Sequence, residues 1–123
     1  MTHDHPLRAD WQRAHEELAA FAKARAHLDW EEGTLLLRAL RCHAHVHLGF
    51  GSFGEYVERL FGYKARWTAE RLRVAESLER LPAIEQSLRD GNITWSAARE
   101  LTRVAVAETE NDWLEATRRR CVR

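Results

Sequence analysis

The sequence predicts an all-α, multi-helix bundle, on three observations. Apolar residues recur at helical spacing throughout, strand-like alternation is absent, and helix start and stop signals return along the whole chain, which holds only two prolines, Pro6 and Pro82. A chain of 123 residues with 45% apolar content can bury one modest core, so a single helical domain over 1–123 is expected.

From Leu7 to Ala26, Trp11, Leu18, Phe21, Ala22 and Arg25 fall at helical spacing in a run rich in Ala, Glu, Arg and Lys, good helix formers. Asp29 with Glu32 three residues on can cap a second helix running to about His47. Region 1–48 is therefore a helical hairpin or, with Gly33 tolerated inside, one long helix.

Gly49 and Gly51 interrupt the chain, and "SFGE", Ser52 to Glu55, is a capping box that opens a short helix ended by Gly62. A longer helix starts near Lys64 or Ala65 and runs to about Arg80, because Pro82 disfavours helical geometry at the residue before it. A helix over 83–89, a turn at Asp90-Gly91-Asn92, a helix capped by Thr94 and running to about Val106, and a last helix opened by Thr109 with Asp112 and extending to Arg123 complete the expectation.

Nineteen basic residues balance nineteen acidic ones, so no global field announces a nucleic-acid protein. The balance hides an asymmetry. Arg59, Lys64, Arg66, Arg71, Arg73 and Arg80 face only Glu70, Glu76 and Glu79 over 59–80, while Glu16, Glu17, Asp29, Glu31 and Glu32 make the N-terminal part acidic. Within 65–81, Trp67, Val74, Leu78 and Leu81 share one arc, and Arg66, Glu70, Arg73, Ser77 and Arg80 the opposite one. A short capped helix, a glycine turn and a longer helix with a basic outer face is the pattern of a helix-turn-helix over 49–82. In that mode Lys64, Arg66 and Glu70 are the candidates for base or phosphate contact with double-stranded DNA, with Arg73 behind them, and Arg80, farther along, meets phosphate or solvent. The competing expectation is a solvated charged face. Trp67 is assigned to packing.

"RCHAHVHLG" gathers Cys42, His43, His45 and His47, of which His43 and His47 at i and i+4 form a two-ligand nucleus at most. No CxxC, GxSxG, HExxH or Gly-rich phosphate loop occurs, so neither a catalytic site nor a cofactor is expected. "TRRRCVR" at the end could touch nucleic acid and equally reads as a cationic last turn that complements the helix dipole. No apolar run approaches membrane-spanning length, and two cysteines without an N-terminal apolar leader suggest a reducing cytoplasm.

The phrases "LGFGSFGEYVERLFGYKARWTAERLRVAESLERLPAI", "LRDGNITWSAARELTRVAVAETENDWLEA" and "CVR" resemble the N-terminal helical region of a bacterial family, common in myxobacteria and relatives, described as HNH endonucleases. The likeness spans about residues 25–123. It implies a helical region followed by a linker and a metal-binding ββα nuclease module, whose strand pair and paired histidines this chain lacks, so no residue inherits a nuclease role. A weaker similarity to the helix-turn-helix region of ParB-like proteins rests on Pro82, Gly91, Ile93, Thr94, Ala98 and Arg99. Both favour a DNA-binding module; the alternative is a protein-interaction module in which helices bearing Trp11, Leu18, Phe21 and Leu28 pair with a second copy as a homodimer.

Overall fold

The computed structural model describes residues 6–121, and all regular structure among them is helical. The seven helices are α1 (Pro6–Arg41), α2 (Ala44–His47), α3 (Phe53–Phe61), α4 (Ala65–Leu78), α5 (Pro82–Arg89), α6 (Trp95–Val104) and α7 (Glu110–Cys121).

Helix α1 runs 36 residues without a break, so the hairpin alternative for 1–48 gives way to the long helix. Asp29 does not cap anything. Its carboxylate lies inside α1 and takes the Arg71 guanidinium at 3.0 Å, a tertiary partner that outweighs its local preference for a helix start. Gly33 stays helical because α4 needs the space: a Cβ there would stand 3.2 Å from Ala75 Cβ. What ends α1 is His43, whose left-handed backbone (φ 58°, ψ 41°) turns the chain into α2. His43 and His47 thus do not share a continuous helix face, and among the described residues no group of three or more potential ligands gathers.

The stop and start signals act largely as the sequence suggests. Ser52 Oγ accepts the Glu55 amide and Thr94 Oγ1 accepts the Ala97 amide, each satisfying an otherwise orphaned donor. Gly62 closes α3 at φ 77°. Pro82 sits in the first turn of α5, where its missing amide costs nothing. Helix α4 stops at Leu78, two residues short of expectation, and α6 at Val104. Thr109 departs from its expected role: its hydroxyl bonds back to the amide and carbonyl of Val106 rather than forward into α7. The expected end of α7 at Arg123 lies outside the described residues.

Two apolar clusters organise the body, and both rest on α1. The larger joins Ala26 to Val74, Leu78, Leu81, Ile84, Leu88, Trp95, Ala98, Leu101 and Leu114. The smaller joins Leu36 to Phe53 and Val57, with Tyr56, Tyr63 and Leu72 against it. A side-chain cap from α7 ties the far side together, because the buried Glu110 carboxylate accepts the amides of Ala83 and Ile84 at 2.9 and 3.0 Å and so caps α5, which lacks a capping side chain at Leu81.

Candidate nucleic-acid interface

The basic stripe of α4 does not face open water along its length, because α6 packs beside it. Trp67 on α4 and Trp95 on α6 meet with ring centroids 5.1 Å apart, and one helical turn farther along each helix stand Glu70 and Arg99. The next turn contributes Arg73 on one side and Thr102 and Arg103 on the other. Helical periodicity alone, once the two tryptophans touch, brings these side chains together.

Glu70 is the hub. Its Oε2 accepts Arg99 Nε at 2.7 Å, Arg103 Nη2 at 2.8 Å and Arg73 Nη2 at 3.1 Å, and its Oε1 accepts Arg73 Nε at 3.1 Å. Hydrogen bonds from Arg73, then Arg99, then Arg103 hold this carboxyl far below the usual carboxylate range, against a smaller opposing effect of burial. Arg73 is further fixed by Thr102 Oγ1 and the Arg99 carbonyl, both at 3.3 Å. Arg66 joins the cluster at the rim of a hollow of about 480 Å³ whose other walls are Trp67, Ala69, Glu70, Arg73, Arg99 and Arg103. Three guanidinium groups hold one carboxylate, and a fourth, that of Arg66, lines the same hollow.

The five residues singled out in the sequence therefore separate. Lys64 and Arg66 are exposed at the start of α4. Glu70 and Arg73 are half-buried and occupied by each other and by α6, which corrects their expected place on a fully wet face. Arg80 is exposed in the turn after α4, about 21 Å along the chain axis from Arg66 at 1.5 Å per residue. Arg71, counted with the basic residues of this stretch, is buried: it pairs with Asp29, and its guanidinium lies 4.0 Å from the centroid of Trp95 and 5.0 Å from that of Trp67. Trp67 packs as expected.

Arg99 and Arg103 line the same hollow and lie outside the five residues singled out in the sequence. Their signal was present as an i, i+4 arginine pair flanking the apolar positions Ala98 and Leu101, but only the α4–α6 packing makes them neighbours of Arg66. Chemically the hollow suits an oxyanion. Arg99 spends only Nε on Glu70 and Arg103 only one terminal nitrogen, so both keep planar donor edges free.

No family model, no curated protein and no solved structure matches this chain.

Proposed function

We propose that the chain is a double-stranded DNA-binding module that grips phosphate through the α4–α6 hollow. The observation that carries this reading is the excess of three positive charges in a hollow lined by Arg66, Arg73, Arg99 and Arg103 against the single carboxylate of Glu70. A carboxylate that orients arginines before a ligand arrives lowers the ordering cost of binding, and guanidinium forks match phosphate geometry.

In this reading the unit 49–82 acts as a helix-turn-helix whose α4 start, with Lys64 and Arg66, is the part free to reach base edges. Glu70 and Arg73 organise instead of reading, and Arg80 adds an outlying phosphate contact. Sequence discrimination is then modest and the salt dependence marked. The resemblance to HNH endonuclease-type proteins supports the same assignment, with this region as the targeting part.

The test is fluorescence anisotropy of a labelled duplex across a salt series. With Lys64, Arg66, Arg80, Arg99 and Arg103 each meeting one phosphate, the slope of log K against log salt is about −4.5. Arg99→Ala/Arg103→Ala should reduce it by roughly 2, whereas Arg118→Ala/Arg119→Ala on α7 should leave it unchanged. A folded protein that binds no duplex at low salt refutes the proposal. That outcome would favour the interaction-module reading, which has its own support in the uncovered apolar side of α1.

A further inference from the structure

The N-terminal half of α1 has an apolar side, and among the described residues none packs against it. Every residue from Asp10 to Arg25 is exposed, and the body first meets the helix where the turn at Gly91 packs on Lys23. A free helix of that length is marginal in water on its own. Yet its apolar residues are ordered: Trp11, Leu18, Phe21, Leu28 and Leu35 follow alternating spacings of a seven-residue repeat, with Ala14 between the first two. These five large side chains are between 51% and 68% exposed. They lie roughly 130° round the helix from Ala26, Gly33 and Leu37, which face the body.

The stripe continues into the body. Beside Leu28 and Leu35 lies a hollow of about 420 Å³ between α1 and α3, walled by Leu36, Tyr56, Leu60 and Phe61, and Leu60 and Phe61 are themselves 61% and 48% exposed. With the five side chains of α1 they leave on the order of 800 Å² of apolar surface uncovered, more than a monomer ordinarily shows and about one partner's share of a stable interface.

We propose that a second copy of this chain covers the stripe, its α1 running antiparallel so that the free arm of each protomer fills the α1–α3 hollow of the other. Charge chooses the direction. Arg25 and Glu32 are the charged residues within the repeat, and parallel pairing sets Arg25 against Arg25 and Glu32 against Glu32. An antiparallel pairing with Leu18 opposite Leu35 of the second copy places Arg25 one layer from the second copy's Glu32. It also places Glu17 beside the second copy's Arg38, with no like charges opposed across the flanks. A surface that closes on itself through a two-fold axis ends at a dimer.

The test is sedimentation of the full chain over a range of concentrations, without DNA. The expected result is a dimer that Leu18→Glu/Phe21→Glu weakens on the order of 100-fold or more. Both sites are exposed in the single chain, so a helical far-ultraviolet circular dichroism spectrum with a cooperative thermal transition certifies the fold. Glu17→Arg alone should weaken the dimer several-fold, and Glu17→Arg/Arg38→Glu should restore it, which only the antiparallel register predicts. A wild-type monomer at high concentration, a dimer indifferent to Leu18→Glu/Phe21→Glu, or a charge swap that fails to restore association each overturns the proposal. The first of these would leave the stripe to a different protein.

Discussion

Removing the Arg71 guanidinium tests the idea that this residue belongs to the core and not to the basic surface. Arg71 and Asp29 are 9% and 16% exposed at the side chain and meet at 3.0 Å. Breaking a buried pair by deleting one partner costs about 3–5 kcal/mol, because the other charge stays uncompensated. Residual water access to Asp29 argues for the lower end, and loss of the stacking on Trp67 and Trp95 adds about 1 kcal/mol. Arg71→Ala should therefore lose about 4 kcal/mol, lowering the urea midpoint by about 2 M at an ordinary denaturant slope for a small protein. Tryptophan fluorescence follows the transition directly. The double variant Asp29→Leu/Arg71→Met should lose less than Arg71→Ala, since it leaves no orphaned charge. An Arg71→Ala protein within about 1 kcal/mol of wild type would refute the reasoning.

Three further outcomes follow from the geometry. Because Glu70 has a folded-state pKa depressed below its ordinary 4.5, it contributes stability that is complete above that value and is lost as pH falls through the folded one. The stability gap between wild type and Glu70→Gln, about 1–2 kcal/mol at pH 7 after allowing for the half-exposed arginines, should narrow in thermal melts below pH 4.5. Gly91→Ala should lower stability by about 2–3 kcal/mol in denaturant melts, since φ is 78° and a Cβ there would stand 2.8 Å from the Lys23 carbonyl oxygen; a neutral result would mean that α1 and this turn are not in contact. Glu110→Ala should cost about 2 kcal/mol by unbinding the Ala83 and Ile84 amides in a buried place, and Glu110→Gln should recover part of it through the remaining oxygen.

Local signals were legible wherever the chemistry is local. Ser52, Thr94, Gly62 and Pro82 act within one turn of their own position, so reading them needs no knowledge of the fold. Asp29 was misleading for the opposite reason: an aspartate before Glu32 is a good cap in isolation, and only a partner 42 residues away makes it an interior residue of a longer helix. The same distance hid the site. Helical periodicity correctly separated Val74 and Leu78 from Arg66, but it assumed water beyond the charged arc, and α6 fills part of that space. Glu70 then gains two arginines, 29 and 33 residues downstream, that no spacing rule connects to it. Glu110 is a similar case, a cap supplied to α5 from another helix.

The continuity of α1 sets how the body comes apart. Ala26 belongs to one apolar cluster and Leu36 to the other, and fewer than three helical turns separate them on a rigid rod. Neither cluster can loosen without unseating the helix that the other rests on, so the two should melt in one transition. Amide hydrogens along 26–37 should then be among the slowest to exchange with solvent, opening only with the whole molecule, while those of 10–22 in a protomer held as a monomer exchange through fraying of the same helix. A single stretch of secondary structure thus spans nearly the full range of local stabilities that the protein has to offer.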